Sequence, residues 1–130
     1  MDIGALCTID KGVSAATVIG EGTKLDNQVH VGHDTVIGKR CLIASQVGIA
    51  GCVTIGDFVT IWGQVGITSG VTIGEKVVIS AQSGVSKSLA PNKSYFGTPA
   101  DEFRKKYKEI ASIRLIPDII EKLDDLDRKK

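Results

Sequence analysis

The sequence is poor in aromatic residues. They make up 5% of its 130 residues, with one tryptophan. An interior of stacked rings is excluded, so the 42% of hydrophobic residues must pack mainly as small and β-branched side chains. Neither charge is in excess, since 16 Lys+Arg stand against 15 Asp+Glu. That balance excludes a generally basic nucleic-acid binder and an acidic disordered tail. No apolar run approaches the roughly 18 residues of a membrane-spanning helix. The opening stretch MDIGALCTID lacks a basic segment leading into an apolar one, so no secretory signal is read there and the cytoplasm is the expected compartment. Three cysteines, Cys7, Cys41 and Cys52, form no CxxC pair, and His30 and His33 are the only histidines. A cysteine–histidine zinc site is not expected, and the thiols read as small buried side chains. Without a phosphate-binding GxxxxGK loop or a GxGxxG after a strand, no tightly bound cofactor is expected either.

What the sequence has in abundance is period. Every sixth residue from Ile19 to Val85 is a branched aliphatic: Ile19, Leu25, Val31, Ile37, and so on to Ile79 and Val85. Two residues before each stands a second column, mostly Val and otherwise Thr, Cys or Ser. The residue after each aliphatic is usually small, with Asp26 and Trp62 as exceptions. A helix would repeat near 3.6, and a plain amphipathic strand would alternate without a small residue at fixed phase. The pattern describes a short strand, a turn and another short strand. Three such units close a triangular coil of eighteen residues, and stacked coils form a solenoid with strands about 4.8 Å apart. Ile3 and Ile9 extend the pattern upstream. The gap from Ile9 to Ile19 is ten, which places about four extra residues around 11–16 and predicts a first coil with a bulged corner. The expected architecture is an all-β solenoid of about five coils over 1–88, a loop over 89–100 holding Pro91, Gly97 and Pro99, and C-terminal helices over 101–130 broken at Pro117. Phe103, Tyr107, Ile110 and Arg114 share one helical stripe, and Ile116, Ile119, Ile120, Leu123 and Leu126 another. Such helices are expected to pack on copies of themselves or on the solenoid. Arg104, Lys105, Lys106, Lys108 and Arg114 concentrate positive charge there, either as a solvated helix face or as a docking patch for an acidic protein.

Several segments carry a resemblance. GALCTIDKG near the start, KLDNQVHVGHDTVIG at 24–38, GIAGCVTIG at 48–56, GQVGITSGVTIG at 63–74 and FGTPADEFRK at 96–105 resemble the hexapeptide-repeat acyltransferases. Within that group they are most similar to the UDP-3-O-acylglucosamine N-acyltransferases of lipid A biosynthesis. The resemblance implies a left-handed parallel β-helix, a homotrimer with sites between neighbouring solenoids, and an acyl carrier protein as donor. It also implies a nucleotide-sugar acceptor and an N-terminal uridine-binding domain, which is absent from these residues. Acyl-phosphopantetheine or acyl-CoA would serve as co-substrate. Two positions depart from the family pattern. Gly70 stands where a histidine is often found, and His33-Asp34 stands where His-Asn is usual. His-Asp is the pairing of the sister enzymes that O-acylate UDP-N-acetylglucosamine and of some amino-sugar N-acetyltransferases. An acetyl-CoA-dependent amino-sugar N-acetyltransferase and a non-catalytic trimeric scaffold are therefore the alternatives.

Amine acylation by a thioester needs a base, donors for the developing oxyanion and a groove for the acyl arm. His33 matches the family's catalytic histidine, and imidazole suits proton transfer near neutrality. His30 directly precedes a core residue and is expected to point outward. Asp26, favoured by the resemblance, and Asp34, adjacent in sequence, are the candidate carboxylates to fix the imidazole tautomer; either could instead cap a turn. Gly51 lies eighteen residues beyond His33, so it should sit beside it in the next coil and offer its backbone N–H as oxyanion donor. Ser69, one coil further, is a candidate contact for the thioester arm. Asn27, Gln28, Gln46 and Gln64 are candidate substrate-binding residues, Asn27 and Gln28 for acceptor hydroxyls, or else solvated side chains or members of a ladder. Trp62 is a candidate for stacking on a sugar or capping an acyl groove.

Overall fold

The computed structural model describes all 130 residues and folds the repeat into a β-solenoid of about five turns followed by two helices. Each hexad contributes a two-residue strand, and three parallel sheets form the faces of a triangular stack. The first sheet runs through Asp2–Ile3, Lys24–Leu25, Leu42–Ile43, Thr60–Ile61 and Val78–Ile79. The second holds Thr8–Ile9, His30–Val31, Gly48–Ile49, Gly66–Ile67 and Gly84–Val85. The third holds Val18–Ile19, Val36–Ile37, Thr54–Ile55 and Thr72–Ile73.

Both aliphatic columns point inward. Leu25, Val31, Ile37, Ile43, Ile49, Ile55, Ile61 and their partners from Val29 to Val77 form one continuous buried core. Burying each such side chain is worth about 1.5–3 kcal/mol, so the core outweighs any single corner. Two polar members of the inner column are satisfied across coils. Thr23 Oγ1 donates to Gly38 O at 2.7 Å and accepts from Cys41 N–H at 3.0 Å, and Thr35 Oγ1 donates to Ala50 O at 3.1 Å.

The register is eighteen residues wherever the repeat is regular, as in Leu25↔Ile43↔Ile61↔Ile79. The first coil differs. Ile3 pairs with Leu25 and Ile9 with Val31, twenty-two residues on, whereas Ile19 pairs with Ile37, eighteen on. The four extra residues thus lie between Ile9 and Val18, where the broken period puts them.

At the regular corners the third residue after the aliphatic adopts the left-handed conformation, including Gln28, Asp34, Arg40, Gln46, Cys52, Phe58 and Gln64. For a non-glycine residue this costs roughly 1–2 kcal/mol. The turn gains an inter-coil bond in return: Cys52 N–H reaches His33 O at 2.8 Å, and Phe58 N–H reaches Lys39 O at 2.9 Å.

The 89–100 stretch, expected as loop, continues the solenoid. Leu89 bridges to Ile73 on the third face, and Ser94–Phe96 adds a parallel strand beside Val78–Ile79. Tyr95 takes the inward place of an aliphatic, and its hydroxyl donates to Ala90 O at 3.1 Å. Asp101–Glu102 then pairs antiparallel with that strand and leads into α1 (Phe103–Arg114). Phe103 and Tyr107 of α1 pack on Phe96, with ring centroids 5.7 and 6.2 Å away, which fastens the helix to the last coil. The chain breaks at Leu115 and resumes as α2 (Ile116–Arg128). Pro117 sits in the first turn of α2, where a missing N–H is tolerated; its ring excludes a helix continuing from α1, so the break precedes it by two residues. Ile116, Ile119, Ile120, Leu123 and Leu126 of α2 are all exposed, so in the single chain this stripe does not pack on the solenoid. No helix is long and apolar enough to cross a membrane.

Candidate active site

His33 and Asp34 stand at the corner between the second and third faces. The left-handed turn at Asp34, with φ 56°, brings its carboxylate back to the imidazole, and His33 Nδ1 lies 3.0 Å from Asp34 Oδ2. The same carboxylate is held from the first coil. Asp34 Oδ1 accepts from the backbone N–H groups of Val13 at 2.8 Å, Ser14 at 3.0 Å and Ala15 at 2.7 Å. Ser14 Oγ donates to Oδ2 at 3.2 Å, and Asp34's own N–H donates to Thr17 Oγ1 at 3.0 Å. The Ala15 N–H foremost, then the His33 contact, hold the Asp34 carboxyl well below the usual carboxylate range. Only 6% of its side chain is exposed, against 47% for His33. An ionised Asp34 can only accept, so Nδ1 of a neutral His33 carries the proton and Nε2 keeps a free lone pair.

The imidazole lies over Gly51 of the next coil. A Cβ at Gly51 would fall 2.6 Å from His33 Nε2 and 2.8 Å from Cε1, so any side chain there would displace the ring. The Gly51 N–H has no acceptor within the chain. An imidazole nitrogen and a free backbone donor thus share one corner, as the eighteen-residue spacing predicts. Ser69 is exposed on the same corner one coil further, beside Gly70 with φ 74°.

Other candidates fall elsewhere. Asp26 belongs to the preceding corner, between the first and second faces, and its Oδ1 accepts from Asn27 N–H at 2.7 Å. Within one chain it does not orient His33; adjacency through a left-handed turn gives that place to Asp34. Asn27 Oδ1 is occupied by Ala5 N–H at 2.8 Å. Gln28, Gln46 and Gln64 form a ladder with Gln82, each amide nitrogen donating to the carbonyl of the glutamine one coil earlier at 3.0, 2.7 and 2.9 Å. Trp62 and Asp26 line an open groove of about 400 Å³ on the first face, with Lys24, Leu42 and Ala44. His30 is exposed as expected, its Nδ1 within 2.8 Å of Thr8 Oγ1. In the basic cluster, Lys105 pairs with Asp101 and Lys106 with Glu109, leaving Arg104, Lys108 and Arg114 outside any ion pair.

Sequence reasoning missed two neighbours of the site. One is the 13–15 backbone that grips Asp34, signalled only by the broken period. The other is Cys52, which is exposed, not buried, because the corner turns it outward. Its sulfur and ligand atoms of His33 and Asp34 lie within 4.8 Å of one another. These three could hold a metal ion only by giving up contacts that already occupy the Asp34 carboxylate.

The bacterial transferase hexapeptide model, of six repeats, matches residues 16–51. Over 129 residues, 99% of the chain, the sequence is 57% identical to the UDP-3-O-acylglucosamine N-acyltransferase of Rhodopirellula baltica, covering 34% of that protein. The enzyme of the same name from Rhizobium johnstonii is 62% identical over 34 residues, 26% of this chain and 10% of that protein. Among solved structures, the UDP-N-acetylglucosamine O-acyltransferase of Moraxella catarrhalis superposes with a TM-score of 0.72 at 34% identity, over 74% of this chain and 38% of that one. The chain therefore spans about a third of the length of the relative it matches end to end. Repeat, fold and likeness agree: the chain belongs to the hexapeptide-repeat transferases.

Proposed function

We propose that this chain is the acyl-transfer unit of a lipid A-type N-acyltransferase. It moves a 3-hydroxyacyl group from the phosphopantetheine thioester of acyl carrier protein to the amine of a UDP-linked glucosamine. The observation that carries the reading is the His33–Asp34 pair lying over Gly51, in a chain 57% identical to a UDP-3-O-acylglucosamine N-acyltransferase. Asp34 keeps the proton on Nδ1. His33 Nε2 takes the amine proton as the nitrogen attacks the thioester carbonyl. The Gly51 N–H donates to the oxyanion of the tetrahedral intermediate. Collapse expels the phosphopantetheine sulfur, which receives the proton from His33.

No tightly bound cofactor takes part; the acyl thioester is a co-substrate. Arg104, Lys108 and Arg114, with the paired Lys105 and Lys106, offer the carrier protein a basic surface on α1. The exposed apolar stripe of α2 supports a homotrimer in which these helices cover one another. A carrier-protein donor would put the reaction in the cytoplasm. Ser69 remains a candidate contact for the thioester arm, Asn27, Gln28, Gln46 and Gln64 for substrate binding, and Trp62 for stacking on a sugar or capping the acyl groove. The His-Asp pair favours a second reading, transfer of a short acyl group from acetyl-CoA to an amino sugar, by the same base and donor.

The test offers hydroxyacyl–acyl carrier protein and acetyl-CoA in parallel to the purified chain, each with UDP-3-O-acylglucosamine, beside His33→Ala. Transfer from the carrier protein that falls by about 10²–10⁴ in the variant supports the reading. Undiminished turnover in His33→Ala, or a folded chain inert with both donors, overturns it. Preference for acetyl-CoA selects the second reading.

A further inference from the structure

From coil to coil the solenoid repeats at eighteen residues, save for the four extra residues between Ile9 and Val18. The fold does not require them. The same corner turns at Cys52 and Gly70 with no insertion, and the third face is back in register by Ile19. Nor do they add to the core, because Val13, Ser14, Ala15 and Ala16 are all exposed. What they add is donors. Three successive backbone N–H groups, of Val13, Ser14 and Ala15, converge on one oxygen of Asp34, and the Ser14 hydroxyl reaches the other. Consecutive N–H groups arranged around an anion form a nest, and here the occupant is a carboxylate of the same chain.

We propose that this bulged corner is a clamp that positions the base, with Ser14 as its positioning residue. The inference rests on reading His33 as the general base. With Oδ1 pinned by three donors, rotation of the carboxylate is blocked and Oδ2 is aimed at His33 Nδ1. The clamp keeps Asp34 ionised and acceptor-only, and so selects the tautomer with Nε2 free over Gly51. A capping aspartate that merely tied down a loop would need no second oxygen turned toward an imidazole, and it would leave the imidazole unaffected when the loop is changed.

The test uses the full chain labelled with [15N]histidine, with the His33 signals assigned from the spectrum of His33→Ala. In wild type the imidazole 15N shifts are expected to report a protonated Nδ1 and an unprotonated Nε2 for neutral His33. Asp34→Asn supplies the reference for a lost tautomer, since its amide can turn a donor toward Nδ1. Deleting Val13–Ala16 restores the eighteen-residue period. It is expected to keep cooperative unfolding, shift His33 to mixed tautomers and lower kcat toward the Asp34→Asn value. Ser14→Ala removes only an exposed hydroxyl, so it decides the matter where the deletion fails to fold. It is expected to lower kcat roughly three- to tenfold with KM for the donor unchanged, and to mix the tautomers partly. Wild-type tautomer and kcat in Ser14→Ala, or in a folded deletion variant, overturn the clamp. Should wild type transfer no acyl group while these variants shift the His33 tautomer, the clamp stands and the proposed reaction falls.

Discussion

Gly51→Ala should separate activity from stability. The new Cβ would sit 2.6 Å from His33 Nε2, 2.8 Å from Cε1 and 2.9 Å from Cδ2. Contacts this short cannot persist, so either the coils part or the imidazole moves. The coils are fixed by inter-coil backbone bonds such as Ala50 N–H to Ile67 O at 3.1 Å and Cys52 N–H to His33 O at 2.8 Å, with the buried aliphatic columns behind them. The ring is the far end of a half-exposed side chain with two rotatable bonds. It should yield first.

Displacing the ring costs about 0.5–1.5 kcal/mol if it leaves its rotamer well, plus roughly 1.5–3 kcal/mol for the bond to a charged Asp34. Water restores part of that to an exposed imidazole. Gly51 is not among the left-handed residues, so alanine also restricts the unfolded chain, a gain of about 0.4–1 kcal/mol. The net change in stability should stay near 1 kcal/mol. Transfer should fall by about 10²–10⁴, as for loss of a general base. Gly48→Ala is the control, because a Cβ there meets nothing within 4 Å in the chain. Urea unfolding and donor-dependent turnover are measured on both variants. Turnover of Gly51→Ala within threefold of wild type would refute the reasoning, and so would unfolding of the variant.

Further outcomes follow from the same geometry. Carboxamidomethylation of exposed Cys52 should suppress transfer by crowding His33, and Cys52→Ser should be protected; buried Cys41, whose thiol is pushed up by burial, should resist the reagent until the protein unfolds. Gln46→Ala removes a rung bonded on both sides and should lower stability by about 1 kcal/mol, roughly twice the effect of Gln82→Ala at the ladder's end, read by thermal unfolding. The Asp101 carboxyl is lowered from 3.8 to about 2, chiefly by Lys105. Its folded-state value is depressed, so its contribution is complete above about pH 4 and is lost as pH falls toward 2; Asp101→Asn should flatten the acid limb of unfolding over that window. Asp34, lowered further, acts with the same sign.

The solenoid was legible because its cause is local and repeated. One strand, one turn and one buried aliphatic recur every six residues, and eighteen-residue neighbours follow by counting. That count placed Gly51 beside His33 and aligned Gln28, Gln46 and Gln64, although it could not say whether the amides face a ligand or one another. Legibility failed where the period did. Tyr95 stands in an aliphatic position between prolines, so the strand Ser94–Phe96 read as loop. Asp26 and Asp34 look equivalent as carboxylates near a histidine. The choice depends on which corner each occupies and on the left-handed φ at Asp34, the third residue after its aliphatic, where Asp26 is the first after its own. Cys52 reads as a buried thiol by composition, yet it falls on a corner and turns outward.

The broken period bears on how a repeat acquires chemistry. A regular stack presents the same environment at every coil, and a base needs an environment found once. This chain makes one coil different in two ways. A histidine stands where the neighbouring coils carry Gly51 and Ser69, and the glycine above leaves room for its ring. Below, the extra residues turn three backbone donors onto one carboxylate oxygen, where the regular corner at Lys39 gives Asp57 one. Regular coils fix the frame to within a hydrogen-bond length, so these two local changes suffice to aim an imidazole. Equivalent corners at Cys52 and Gly70 share the turn but lack both changes, which is what favours His33 as the proposed base.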